Sequence, residues 1–158
     1  MIKLKGGAID EACIEFADNR TIIVCSENKT KATFSNPNEK LVRKIKVDGC
    51  LPFSKQPNNK SCDYLLLEIN QENETSETIE KAHLVELKGQ NELSKAVEQL
   101  TNSITNIFER YAKLRLYIFF SSTPRISRTD IQKQQKILKN KYNQSILKIV
   151  PAKNNIVI

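Results

Sequence analysis

Apolar side chains recur along this chain with the 3.6-residue period of a helix in three places and with the two-residue period of a strand in several others. The longest helical stripe predicts an amphipathic helix after Gly89, with Asn91 as its N-cap. Its apolar positions are Leu93, Ala96, Val97, Leu100, Ile104, Ile107, Phe108 and Tyr111. Shorter stripes predict helices over residues 8–19 and 127–142, the latter capped by Ser127 or Thr129.

Strands are predicted where β-branched and apolar residues alternate with polar ones or form short continuous runs. These segments are residues 21–25, 30–35, 41–47, 63–69, 82–88, 113–121, 146–150 and 155–158. The first two flank a turn at residues 27–29 and predict a hairpin. The polar stretches 49–61, 70–78 and 123–125 predict a loop, a flexible connection and a turn.

This order of elements predicts an α/β fold, with a central mixed sheet flanked by helices. The segment 113–121 follows a helix and is apolar on both faces in its second half, which is typical of a strand reached by a parallel crossover. The length of 158 residues fits one domain. Within residues 1–158 we expect a core of about residues 9–120 and a basic C-terminal extension of about residues 121–158.

The composition, 39% hydrophobic and 27% charged, indicates a soluble globular protein. No apolar run reaches the roughly 20 residues that a membrane-spanning helix needs. The N-terminal residues lack the long apolar stretch of a signal peptide, so we expect a cytoplasmic protein with no membrane partner.

The four cysteines are Cys13, Cys25, Cys50 and Cys62, and no two of them form a C-x-x-C pair. A structural zinc site usually contains such a pair, and the chain has one His, so zinc is disfavoured. We expect buried free thiols, in keeping with the burial preference of cysteine.

The net charge of +7 is unevenly placed. Residues 110–158 contain eleven Lys or Arg and a single acid, Asp130, whereas residues 68–80 contain five Glu and no base. A basic half of this kind indicates a polyanionic partner. The alternative is a solvated surface that keeps the protein in solution.

The candidate chemistry lies at the end of the strand predicted at residues 82–88. Because side chains alternate along a strand, Glu86 and Lys88 share one face. An earlier strand carries Asp63 near its start, and burying all three charges is costly unless they act together. Two carboxylates, with the backbone carbonyl of Leu87, can bind Mg²⁺, with Mn²⁺ as a substitute, and the lysine can orient an attacking water. This set predicts a metal site that cleaves phosphodiesters.

The segment beginning at Asp63, the 23-residue step to Glu86 and Lys88, and the following helix with Gln99 resemble the PD-(D/E)xK superfamily. These are the restriction-endonuclease-like nucleases, which include Holliday-junction resolvases. The resemblance covers about residues 9–120, and the family's proline before the first acid is Cys62 here. It implies a mixed sheet flanked by helices, Mg²⁺-dependent cleavage and frequent dimerisation.

The resemblance also implies roles for individual residues. Asp63 and Glu86 would bind the metal and Lys88 would be the catalytic lysine. A carboxylate on the first helix often joins the site, and either Glu11 or Glu15 matches it. Some relatives use a Gln on the helix after the lysine, and Gln99 is the candidate.

These inferences predict an endonuclease that acts on double-stranded or branched DNA, in restriction, defence or repair, as a homodimer. Two other classes remain open. One is a nucleic-acid-binding or assembly module that keeps the fold without cleavage, and the other is a regulatory domain that uses the acidic stretch. The non-catalytic alternative for Glu86 and Lys88 is a solvent-facing ion pair. His83, on the opposite face of the strand, is expected to be a packed or surface residue.

Overall fold

The computed structural model describes residues 1–89, 92–121, 126–142, 145–151 and 153–158. The helices are α1 Leu93–Ile107 and α2 Arg128–Lys141. The strands are β1 Lys3–Leu4, β2 Ile14–Asp18, β3 Ile22–Glu27, β4 Thr30–Ser35, β5 Leu41–Lys46, β6 Tyr64–Asn73, β7 Ser76–Lys88, β8 Phe108–Arg110, β9 Arg115–Phe120, β10 Ile146–Pro151 and β11 Asn155–Val157. The predicted α/β class with a central mixed sheet is therefore confirmed.

The main sheet has six strands in the order β10-β9-β7-β6-β5-β2. Strands β2, β5, β6 and β7 pair antiparallel, whereas β7, β9 and β10 pair parallel. Helix α1 makes the crossover from β7 to β9, as the apolar run at 113–121 predicted. The acid-bearing strands β6 and β7 are neighbours near the middle of the sheet, which places their ends side by side.

The two faces of the main sheet are covered differently. Both helices contribute to the core on one face, where residues such as Leu84 and Ile118 of the sheet pack against Leu100 and Ile104 of α1 and Leu138 of α2. The other face packs against a second sheet of order β11-β4-β3. We call these the helix face and the sheet face. The helices thus lie on one side of the main sheet, and the segment after residue 120 adds β10 to one sheet and β11 to the other.

The helix predicted at residues 8–19 is wrong. The Asp10 side chain accepts a hydrogen bond from the Ala12 amide and caps a single 3-10 turn, Glu11–Cys13, after which the chain runs as β2. Strand β2 pairs with β5, so its backbone groups are satisfied by the sheet rather than by a helix. The helical spacing of apolar residues here is also compatible with an edge strand, and tertiary pairing decides between them.

The flexible connection predicted at residues 70–78 is also wrong. Strands β6 and β7 continue through it as a hairpin, with pairs such as Asn70 with Thr78 and Gln71 with Glu77. The Asn73 side chain accepts hydrogen bonds from the Thr75 amide and hydroxyl and stabilises the turn. The acidic side chains of this segment are exposed, and the ladder that carries them shifts register between Gln71 and Asn73.

The expectation of four free thiols is corrected as well. Cys13 and Cys50 form a disulfide with a Cα–Cα distance of 5.8 Å, which joins the turn before β2 to the loop after β5. Cys25 and Cys62 are buried free thiols, as predicted. The two bonded residues lie 37 positions apart, and their spacing gave no sign of the pairing.

Several other predictions are confirmed by the structure. The β3–β4 hairpin, the late strand β10 and the last strand β11 all form. Ser127 is the residue that caps α2, since its side chain accepts from the Asp130 amide. The N-cap predicted at Asn91 and the turn at 123–125 lie outside the described residues. Neither α1 nor α2 has the length and apolar character needed to cross a membrane, and no other described helix does.

Candidate functional site

The candidate site lies where β6 begins and β7 ends. Asp63 immediately precedes β6, and its amide donates to the Val85 carbonyl at 3.0 Å. Val85 is also the register partner of Tyr64, the first residue of β6. Asp63 and Tyr64 therefore both lie opposite one residue of β7, as in a β-bulge. The Asp63 carboxylate turns toward β7, where Oδ2 accepts a hydrogen bond of 2.7 Å from the Leu87 amide. The structure therefore brings Asp63 against the residue between Glu86 and Lys88.

Glu86 is buried on the helix face and is 1% exposed. Its Oε1 lies 3.0 Å from the Lys88 ammonium, and its Oε2 has no hydrogen-bond partner among the described residues. The pKa of Glu86 is raised to about 8, first by burial and then by the nearby charge of Asp63, and Lys88 opposes the rise. Burial likewise raises the pKa of Asp63 to about 6, against the hydrogen bond from Leu87 and the charge of Lys46.

These features exclude the solvent-facing ion pair as the description of Glu86. An exposed pair would leave the carboxylate hydrated, whereas this one is desolvated with one oxygen unpaired. An unsatisfied buried carboxylate oxygen costs free energy unless a cation or a donor fills it. A buried carboxylate with one unpaired oxygen is typical of a site that binds a cation or a hydrogen-bond donor.

The backbone of Leu87 adds a third oxygen to this end of the sheet. Its N–H faces Asp63, and the C=O of the same residue leaves a strand on the same side as its N–H. The Cys62 amide, just before Asp63, donates to the Ser103 hydroxyl of α1. Within the described ranges no three His, Cys, Asp or Glu side chains are close enough to hold a metal ion together. A hard cation here would therefore rest on two carboxylates, this carbonyl and waters, a donor set that suits Mg²⁺.

Helix α1 holds the segment that leads into Asp63. The Gln99 side chain donates to the Ser61 carbonyl at 3.0 Å, and the Ser103 hydroxyl accepts from the Cys62 amide at 2.9 Å. The Asn102 side chain donates to the Lys60 carbonyl. Gln99 is thus placed behind the candidate site, where it fixes the backbone before Asp63.

The first two glutamates are not brought to this site. Glu15 lies on β2, at the edge of the sheet, and its Oε2 pairs with Lys44 at 2.5 Å. Glu11 is exposed in the 3-10 turn that precedes β2. Strand β5 separates both from β6, because the first segment of the chain is a strand at the sheet edge rather than a helix over the site.

Sequence reasoning missed Lys46, the last residue of β5, and Asp48, two residues after it, which both lie near Asp63. The Val47 amide donates to the Asp63 carbonyl, and the Asp48 carboxylate accepts from the Ser61 hydroxyl at 2.8 Å. The charge of Asp48 contributes to the raised pKa values of both Asp63 and Glu86. The sequence signal for these residues was a pair of charges at the end of the strand that precedes Asp63. It becomes informative once β5 and β6 are known to be neighbours.

His83 lies on the sheet face of β7, opposite Glu86, as predicted. Its Nε2 lies 2.7 Å from Glu68 Oε1 and its Nδ1 lies 3.2 Å from the Tyr117 hydroxyl. Burial lowers the pKa of His83, which favours a neutral ring that donates from Nε2 to Glu68 and accepts from Tyr117. Burial favours the protonated form of Glu68, which would raise its pKa. The hydrogen bonds from His83 and Lys40 outweigh this effect, so the pKa of Glu68 is lowered to about 2. This network satisfies buried polar groups and lies away from the candidate site.

Comparison with protein-family models, with curated proteins and with solved structures finds no match to this chain. The geometry of the site and the sequence pattern are therefore the guides to function.

Proposed function

We propose that this chain is a Mg²⁺-dependent endonuclease of the restriction-endonuclease-like fold that hydrolyses phosphodiester bonds in DNA. The observation that carries the proposal is the buried carboxylate of Glu86, with one oxygen paired to Lys88 and the other unpaired, next to Asp63 at the end of the neighbouring strand. Because two strand ends of the main sheet hold these groups, their positions are preorganised.

In this proposal Asp63, Glu86 and the Leu87 carbonyl would hold Mg²⁺, which would neutralise phosphate charge and activate a water. Lys88 lies 3.0 Å from Glu86 and its side chain is 15% exposed, so its ammonium reaches both the carboxylate and the mouth of the site. There it orients the attacking water and stabilises negative charge that develops on the phosphate. Asp48 stands just outside, held by Ser61, and adds negative charge that attracts the cation.

Charge supports DNA as the substrate. Lysines on the exposed surface of α2 can contact phosphates without reading sequence. These residues are Lys133, Lys136, Lys139 and Lys141. A chain of 158 residues with one such site would cut both strands as a homodimer, and restriction, defence and repair of branched DNA all fit this chemistry.

The test is to incubate purified protein with supercoiled plasmid and with a branched DNA, in Mg²⁺, in Mn²⁺ and in chelator. A Lys88→Ala variant is compared with Lys3→Ala, because Lys3 is an exposed lysine that also pairs with a glutamate, Glu109. We expect metal-dependent cleavage that falls by at least about 100-fold in Lys88→Ala and is unchanged in Lys3→Ala.

Equal cleavage by the two variants would remove Lys88 from the proposed mechanism. Salt-sensitive DNA binding without cleavage by any form would contradict the nuclease and favour the nucleic-acid-binding module.

A further inference from the structure

A cavity of about 400 Å³ lies between the end of β7 and the turn that joins β3 to β4. Its described lining is Glu27, Asn28, Lys29, Thr30, Leu87, Gly89 and Ser121. Leu87 packs toward the sheet face, whereas the adjacent Glu86 and Lys88 point to the helix face. The cavity therefore adjoins the end of β7 on the sheet face, and the candidate catalytic groups Glu86 and Lys88 lie at the same strand end on the helix face.

The turn is fixed to the strands that form the catalytic end. The Lys46 ammonium lies 2.6 Å from Glu27 Oε2, and the Tyr64 hydroxyl donates to the Ser26 carbonyl at 2.8 Å. On the other side the Thr30 hydroxyl donates to the Lys88 carbonyl at 3.4 Å. Because Tyr64 follows Asp63 in the chain, these contacts set the distance between the turn and the site.

The opposite wall is fixed in the same way. The Ser121 amide donates to the Lys88 carbonyl at 3.0 Å, and its hydroxyl donates to the Gly89 carbonyl at 2.9 Å. Hydrogen bonds thus fix both walls of the cavity, one of which belongs to the β11-β4-β3 sheet and the other to the main sheet.

The chemistry of the lining favours an anionic, hydrogen-bonding ligand. Lys46 counters the charge of Glu27, which leaves Lys29 as the cation of the turn. Lys29 and Asn28 are exposed, and neither has a hydrogen bond or an ion pair with another described residue. A cation, an amide and a hydroxyl around a cavity at the low end of the usual range of about 300–1,000 Å³ suit a phosphate joined to a sugar.

We propose that this cavity binds the nucleotide next to the scissile phosphate, with Lys29 on its phosphate and Asn28 on its sugar. The inference rests on the proposed function and names a substrate subsite for it. Leu87 lines the cavity and lies between Glu86 and Lys88 in the chain, so the cavity adjoins the strand end that carries the candidate catalytic groups.

The test measures DNA affinity over a range of salt concentrations, in Ca²⁺ so that binding is separated from cleavage, with cleavage in Mg²⁺ measured in parallel. Lys29→Ala removes the cation, and Asn28→Gly removes the amide while glycine keeps the observed φ of 51° without strain. Lys31→Ala is the matched control, since Lys31 is an exposed lysine of the same hairpin that does not line the cavity.

We expect Lys29→Ala to weaken binding about 10-fold and to reduce the slope of log affinity against log salt by about one, as loss of one phosphate contact does. Asn28→Gly should weaken binding about 3-fold and leave the slope unchanged, and Lys31→Ala should match the parent protein.

If the parent protein binds and cleaves DNA but Lys29→Ala behaves as Lys31→Ala does, the subsite is wrong and the nuclease stands. If Lys29→Ala weakens binding as expected but no form cleaves, the subsite stands on a DNA-binding protein and the nuclease fails. Absence of DNA binding by the parent protein overturns both.

Discussion

At the scale of single residues, the Glu86 carboxylate is the group whose burial opposes stability most directly. Its pKa is raised to about 8 in the folded chain, mainly by burial, so the folded state holds the proton more tightly than the unfolded state does. The contribution of Glu86 to the stability of the ion-free protein therefore falls as the pH rises from about 4.5 toward 8. Lys88 offsets only part of this cost.

Replacing this carboxylate by its neutral isostere tests that account. We expect Glu86→Gln to increase the free energy of unfolding by about 1 to 3 kcal/mol at pH 8 and to make little difference near pH 4.5. Urea denaturation at both pH values measures the effect. Glu72→Gln, at an exposed position of β6, is the matched control and should change neither value by more than about 0.5 kcal/mol.

Mg²⁺ gives a second measurement on the same variant. Millimolar Mg²⁺ should raise the Tm of the parent protein and of Glu72→Gln but not that of Glu86→Gln, because a ligand stabilises only the state that binds it. A Glu86→Gln protein that is less stable than its parent at pH 8 would show that the buried carboxylate is well paired rather than costly.

Sequence alone placed Glu86 and Lys88 on one face at the end of a strand, and Asp63 near the start of an earlier strand, because the alternation of apolar residues fixes which face each side chain takes. That these two strands are neighbours is a finding of the structure. It could not place Glu15 with Lys44, since that contact depends on pairing between β2 and β5. The same spacing of apolar residues suits a helix or an edge strand, and the choice is made by the rest of the fold.

At the scale of elements, α1 connects the helix-face core to the site. One side of the helix supplies apolar residues to that core, and Gln99, Asn102 and Ser103 bind consecutive backbone groups just before Asp63. The sequence predicted the apolar stripe but placed Gln99 at the catalytic groups. The polar contacts could not be predicted because the loop that they hold carries no regular pattern.

Ser103→Ala tests whether α1 positions Asp63. The change leaves the buried Cys62 amide unpaired, so we expect a loss of about 1 to 3 kcal/mol in the free energy of unfolding and about 10-fold weaker Mg²⁺ binding. Thermal unfolding and Mg²⁺ titration by calorimetry measure the two effects.

The control is Thr105→Ala, because the exposed Thr105 hydroxyl donates to the Thr101 carbonyl of its own helix and to no other described residue. Ser103→Thr keeps a hydroxyl and should recover much of the Mg²⁺ affinity. Mg²⁺ binding by Ser103→Ala as tight as that of Thr105→Ala would mean that the helix supports the fold without positioning Asp63.

At the scale of the whole molecule, the Cys13–Cys50 disulfide ties the sheet edge to the loop that follows β5. This loop begins at Val47 and Asp48, which contact the Asp63 segment. A crosslink across 37 positions restricts the unfolded chain, so its reduction should lower the free energy of unfolding by about 2 to 4 kcal/mol.

Denaturation with and without dithiothreitol measures this loss. The double variant Cys13→Ser with Cys50→Ser should be destabilised to the same extent and should not respond to the reductant. Titration of four thiols, rather than two, in the denatured parent protein before reduction would contradict the bond.

The two faces of β7 carry different polar groups. His83 is hydrogen-bonded to its partners on the sheet face, whereas Glu86 and Lys88 lie on the helix face. The side chains of the helix face can therefore change without disturbing the His83 network, so the fold and the chemistry of the candidate site can vary separately.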